Sequence, residues 1–197
     1  MTISSDRSKL RKQLRQQRRA LHKKQQHQHA RQLSKNLRLS RHFRQSKNVA
    51  FYLAEDAEIS ASFAIKLAWQ QNKNVYLPVL SPYGDALFFA PYSKNTRMTN
   101  NRFNIAEPDV PLRQCKRAHQ LQIIFMPLVG FDLSGNRLGM GGGFYDRSLH
   151  FRRQQKSWRK PRLIGLAHEC QKLDKVPTEE WDIPVDAVLT ETKLYRF

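Results

Sequence analysis

Five apolar runs, each six or seven residues long, punctuate the chain: "NVAFYL" (48–53), "NVYLPVL" (74–80), "LQIIFMP" (121–127), "RLIGLA" (162–167) and "DAVLTE" (186–191). Runs of this length without polar alternation are expected of strands covered on both faces. Between the first two, Ser60 is an N-cap candidate for "ASFAIKLAWQQNK", whose Phe63, Ala64, Leu67 and Ala68 share one helical face. Strand, helix and strand in that order predict a parallel pair joined by a right-handed crossover. "DALFFAPY" (85–92) reads as an antiparallel addition, Pro127 ends the most apolar run, and a helix is predicted to start near Phe144. Together these elements predict a three-layer, Rossmann-like α/β fold, with an open, mostly parallel sheet and helices on both faces. A length of 197 residues, 40% of them apolar, fits one domain over 1–197.

The net charge of +19 calls for an anionic partner or a solvated basic face. Most of it lies in residues 1–48, which hold 15 Lys or Arg and one acid, Asp6. Ser4, Ser5 and Asp6 are cap candidates for a helix over 6–25, with Leu10, Leu14 and Leu21 on its apolar stripe. A second helix turns Ala30, Leu33 and Leu37 inward, so basic helices over 6–45 are expected to pack on the sheet. Arg18, Arg19, Lys23 and Lys24 read as its solvated face. "LHKKQQHQH" (21–29) has no adjacent carboxylate or Cys ligand and reads as a solvated polar turn. Without a zinc-finger, RNP or KH pattern, basic charge gives only salt-sensitive non-specific RNA or DNA binding, so no specific nucleic-acid partner is expected. The polar N-terminus lacks a signal-peptide core, no run has the length of a membrane span, and Cys115 and Cys170 read as reduced thiols. A cytoplasmic protein with no membrane partner is the expectation.

The chemistry concentrates in "NRLGMGGGFYDR" (136–147). Six of the eight glycines fall between Gly130 and Gly143, after the most apolar strand and before a helix. Ligands of open α/β sheets bind beyond the carboxyl ends of the strands. Gly139, Gly141, Gly142 and Gly143 leave the main-chain N–H groups bare enough to approach phosphate oxygens, and Arg137 adds charge-assisted contacts. The competing reading is a structural turn with several positive φ angles. GxxxxGK[ST] is absent, and so is the third glycine of GxGxxG. Asp146 repels a phosphate unless a cation such as Mg²⁺ lies between them; otherwise it caps the helix or pairs with Arg147.

The longer run "FMPLVGFDLSGNRLGMGGGFYDRSL" closely resembles the signature of the 5-formyltetrahydrofolate cyclo-ligase family. The resemblance extends over nearly the whole chain. "RSKLR", with Arg7 and Arg11, is similar to the family's basic opening. "FYLAEDAEIS" resembles its folate-site segment, with Leu53 and Glu58, and "RFNIAEP" resembles its pterin-pocket stretch. "WDIPVDAVLTE" resembles the closing segment, whose first acid, Asp182 here, is implicated in metal binding. Arg7 stands where Lys is common, Phe103 where some members have Trp, and Phe144 where many have Tyr. The resemblance implies ATP- and Mg²⁺-dependent conversion of 5-formyltetrahydrofolate to 5,10-methenyltetrahydrofolate. It assigns ATP to Arg7, Arg11, Arg137, Leu138, Gly139, Met140, Gly141, Gly142, Gly143, Phe144 and Tyr145, with Arg137 and Tyr145 in the chemistry. Leu53, Glu58, Phe103 and Tyr145 would contact the folate, and Asp146 and Asp182 would hold Mg²⁺. The folate's glutamate tail, often polymerised and anionic, is a further candidate for the surplus charge, and a monomer is expected. A family relative with a different substrate and a nucleic-acid-binding module are the alternatives; Glu58 and "NIAEP" disfavour the first.

Overall fold

The structure, a computed structural model, describes residues 3–82, 84, 86–154 and 160–197. Three helices open the chain: α1 (Ile3–Ala20), α2 (Lys23–Arg38) and α3 (Arg41–Gln45). Strand β1 (Asn48–Ala50), helix α4 (Ser62–Gln70) and β2 (Asn74–Leu80) form the expected crossover unit, with β1 and β2 parallel. The rest comprises β3 (Leu87–Pro91), a small pair β4 (Met98–Asn100) and β5 (Ala106–Pro108), β6 (Ile123–Pro127), a hairpin β7 (Gly130–Phe131) and β8 (Arg137–Leu138), α5 (Phe144–Ser148), α6 (Phe151–Gln154), β9 (Arg162–Leu166), β10 (Ala187–Leu189) and β11 (Leu194–Arg196).

The main sheet runs β11-β10-β9-β6-β1-β2-β3. Its inner five strands are parallel, and β3 and β11 close the edges antiparallel. Alternation along β6 shows why its sequence is continuously apolar. Ile123 and Phe125 enter the core beneath α2, α3 and α4, with Leu33, Leu37, Phe43 and Ala64, while Ile124 and Met126 enter the opposite core with Leu149 and Leu163. Phe51 stacks on Phe125 with ring centroids 4.5 Å apart. The chain leaves β1 for β2 on one side and returns to β6 on the other, so the strand order reverses at β1/β6, the place where such sheets open a ligand crevice.

Local details depart from the sequence expectations. The first helix is described from Ile3, which places Ser4, Ser5 and Asp6 within its first turn and not ahead of it. It also ends at Ala20, and α2 starts at Lys23 behind His22, whose Nδ1 accepts from the Lys24 amide at 3.2 Å. The His-rich stretch is therefore mostly helix and not a turn. Ala61 is the N-cap of α4, with Ser60 Oγ accepting from the Ser62 amide one residue on. The anticipated strand over 85–92 is observed as Leu87–Pro91, and Asp85 lies outside the described residues. Among the described residues no helix is long and apolar enough to cross a membrane.

Candidate active site

A cavity of about 710 Å³ lies over the carboxyl ends of β1, β2 and β6. Tyr52 and Leu53 continue from β1 into its wall, Pro127 closes β6 beneath it, and Arg7 and Arg11 reach it from α1. Opposite lie the segment Gly139–Asp146 and the pair Trp181 and Asp182.

The glycine segment needs its composition. Gly141 has φ +106° and Gly143 φ +65°, both left-handed, and Gly143 is the N-cap of α5. A Cβ on Gly142 would lie 2.9 Å from the Phe144 ring, whereas one on Gly139 would meet nothing within 4 Å. The turn therefore requires some of these glycines, and Gly139 leaves its main chain bare. Arg11 Nε donates to the Gly139 carbonyl at 2.9 Å, and Arg147 Nη2 donates to the Gly142 carbonyl at 2.7 Å.

Two buried arginines face this segment, each paired with a carboxylate. Arg7 donates twice to Asp182, at 2.6 and 3.2 Å, and this contact raises the Arg7 pKa. Arg137 Nη2 donates to Asp146 Oδ1 at 2.7 Å, and that oxygen also accepts from the Ile183 amide at 3.1 Å. Only 6% of Arg137 is exposed, yet its Nη1 has no hydrogen-bond partner among the described residues. A buried guanidinium N–H without an acceptor is costly, and it marks where an anionic oxygen could bind.

The opposite wall carries Glu58. Burial, opposed by the Glu55 amide and Arg18, raises its pKa from the ordinary 4.5 to about 7. Burial and the Glu58 charge together push the Tyr145 hydroxyl well above the usual phenol range. Glu58 is held by a strained turn: Asp56 and Ala57 have φ of 50° and 58°, uncommon for residues with a side chain. Three arginines of α1 fix that turn. Arg18 donates to the Asp56 carbonyl and carboxylate, both at 2.8 Å, Arg15 to the carboxylate at 2.7 Å, and Arg19 to its other oxygen. Burial alone would raise the Asp56 pKa, but the three guanidiniums outweigh it and bring the carboxyl below its ordinary range. Surroundings that over-determine a residue are what allow such backbone strain to persist.

The profile of the 5-formyltetrahydrofolate cyclo-ligase family matches residues 3–191. The chain belongs to this family. The 5-formyltetrahydrofolate cyclo-ligase of Escherichia coli K12 is 38% identical over 187 residues, covering 93% of this chain and 100% of its relative. That of Haemophilus influenzae is 46% identical over 149 residues, 74% of this chain and 76% of the relative. The structure of Aquifex aeolicus 5,10-methenyltetrahydrofolate synthetase superposes with a TM-score of 0.81 at 28% identity, covering 96% of this chain and 92% of the other.

The fold brings most of the anticipated family site together around the cavity: Arg7, Arg11, Leu53, Glu58, Arg137, Gly139, Met140, Gly141, Gly142, Gly143, Phe144, Tyr145, Asp146 and Asp182 all line it. Two anticipated residues do not. Leu138 is fully buried against Leu14, Val129 and Val176, because β8 alternation turns its side chain away from Arg137. Phe103 is 53% exposed and meets the Phe144 ring edge-on at 5.8 Å, so it packs behind the wall. Arg18 corrects the reading of a solvated face, since it is fully buried. The partner of Asp146 is Arg137, not Arg147. Sequence reasoning passed over Trp181, 61% exposed on the cavity wall, although its place beside Asp182 in "EEWDIP" was a usable signal. It also passed over Glu107, a lining residue that accepts from the Leu80 amide at 3.0 Å and from Asn101 at 2.7 Å.

Proposed function

We propose that the chain closes the ring of 5-formyltetrahydrofolate to 5,10-methenyltetrahydrofolate at the expense of ATP, releasing ADP and phosphate. The observation that carries this reading is Arg137 Nη1, a buried donor without an acceptor on the cavity wall beside the bare glycine segment. A formyl oxygen is a poor leaving group. Its attack on the γ-phosphorus of ATP expels ADP and converts the oxygen into a phosphate ester. N10 then attacks the formyl carbon, loses its proton, and phosphate departs with the oxygen. Such a transfer needs mainly positioning and charge neutralisation. Arg7, Arg11, Arg137 and the main chain of residues 139–143 supply these to the triphosphate. Glu58, with a pKa of about 7, is suited to hydrogen-bond the folate and to accept the proton that N10 releases. Tyr145 and Leu53 position the substrate, and Met140 and Phe144 flank the nucleotide.

The donor set also fits Mg²⁺: Asp146 and Asp182 offer hard carboxylate oxygens next to the proposed phosphate site, and the ion when bound supplies charge neutralisation at the phosphates. The basic helices α1 and α2 suit an anionic glutamate tail, single or polymerised. The reading takes the chain to act as a monomer in the cytoplasm. The test is direct. Purified protein is mixed with 5-formyltetrahydrofolate, ATP and Mg²⁺, and the ultraviolet band of the methenyl product is followed. Appearance of the band only when ATP is present is the expected result; a flat trace in the complete mixture would overturn the reading.

A further inference from the structure

Away from the cavity, three side chains distant in sequence converge: His29 from α2, His168 just beyond β9, and Glu191 just beyond β10. One ligand atom from each lies within 4.8 Å of the other two. The two Nδ1 atoms are 2.9 Å apart, and His29 Nδ1 is 3.4 Å from Glu191 Oε1. Around a tetrahedral Zn²⁺ with bonds of roughly 2.0–2.1 Å, ligand atoms are separated by about 3.3 Å. The observed separations straddle that figure. We propose that His29, His168 and Glu191 form a transition-metal site of the zinc class that clasps α2 to the carboxyl ends of β9 and β10.

The surroundings also support an ion. His168 is fully buried, and its Nε2 has no hydrogen-bond partner among the described residues. A tautomer with its proton on Nε2 leaves the Nδ1 lone pair, which faces His29, for a metal. The Glu191 carboxylate is oriented by the Glu169 amide, at 3.0 and 3.2 Å to its two oxygens. Two imidazoles and one carboxylate select a borderline ion such as Zn²⁺ over Mg²⁺, and the partly exposed His29 and Glu191 leave a route for the ion and a fourth position for water. The His-rich helix thus finds across the fold the carboxylate that its own sequence lacks.

The experiment titrates chelator-stripped protein with Zn²⁺ by calorimetry and with Co²⁺ by visible absorption. The site predicts one tight equivalent of Zn²⁺, tetrahedral Co²⁺ bands, and a Tm rise of roughly 5 °C or more at a hundredfold excess over Kd. His29→Gln and Glu191→Gln, both at partly exposed positions that should still fold, weaken that equivalent at least about tenfold. Asp182→Asn, at the proposed Mg²⁺ site, leaves Zn²⁺ affinity unchanged. If the wild type takes up no tight equivalent, or if His29→Gln and Glu191→Gln titrate like the wild type, the trio is only a hydrogen-bonded clasp and the proposal fails.

Discussion

Replacing Glu58 by Gln should change the pH dependence of stability in a definite direction. The Glu58 side chain is 10% exposed, and burial is the largest cause of its raised pKa. Below pH 4.5 the carboxyl is protonated in both folded and unfolded chains, so burying it carries no charge penalty. Between 4.5 and about 7 the unfolded chain releases the proton while the folded chain retains it, and stability falls as pH rises. Above the folded pKa the full cost is present. The displacement from 4.5 to about 7 corresponds to roughly 3 kcal/mol. The pull of Arg18, 3.9 Å from Glu58 Oε1, is already contained in that displacement, and water in the open cavity reduces the cost to about 1.5 kcal/mol. For a chain of this size that amounts to about 3–6 °C in Tm. Gln keeps the shape and the hydrogen-bonding oxygen and does not titrate. The difference Tm(Glu58→Gln) minus Tm(wild type), measured by calorimetry, should therefore grow by this amount from about pH 5 to about pH 8. Taking a difference removes the pH effects of every other group. A difference that stays constant across this range would refute the reasoning and show that Arg18 keeps Glu58 ionised throughout.

Arg137→Ala removes the buried donor at the proposed phosphate site and should lower kcat/KM for ATP about 30-fold or more, read from initial rates of methenyl formation. Asp146→Asn keeps an oxygen for the Ile183 amide but loses its charge, so the Mg²⁺ concentration giving half-maximal turnover should rise; an unshifted midpoint with a lowered Tm would make Asp146 only the partner of Arg137. Arg18→Met fills similar space but strips a buried guanidinium from the strained turn, and should cost about 3 kcal/mol in urea unfolding; an unchanged midpoint would show that Arg15 and Arg19 hold Asp56 alone.

What was legible in the sequence follows from period and composition. A strand buried on both faces must be apolar throughout, so β1, β2, β6, β9 and β10 were visible in their runs. Edge strand β11, Leu194–Arg196, is three residues long and half-buried, with only Leu194 and Tyr195 packing against the two cores, so no comparable run announced it. The pair β4 and β5 is three residues a strand and held largely by Asn101 and Glu107, which leave no apolar signature. The break at His22 escaped notice because its cap is an imidazole, and neither Gly nor Pro marks the place.

The face of α1 was misread for a more instructive reason. Arg7, Arg11, Leu14 and Arg18 follow one another at spacings of four, three and four, so they share one side of the helix, and eleven residues bring Arg18 almost directly in line with Arg7. Apolar periodicity picks out Leu10, Leu14 and Leu21 and leaves Arg18 and Arg19 to the solvent, while Arg7 and Arg11 are placed at the site by the family resemblance alone. The structure buries Arg7, Leu14 and Arg18 and turns Arg11 to the cavity. The acids that receive these arginines are Asp182 and Asp56, 175 and 38 residues away. An inward cation is stable only with such a partner, and no local window contains it. The same long-range pairing makes α1 both a packing element, through Leu14 against Val129 and Leu138, and one wall of the site. A substitution there acts on the cavity and on stability together. Urea unfolding of Arg7→Met and Arg11→Met separates the two: Arg7, doubly bonded to Asp182, should shift both stability and turnover, whereas Arg11, bonded to the Gly139 carbonyl alone, should shift turnover more than stability.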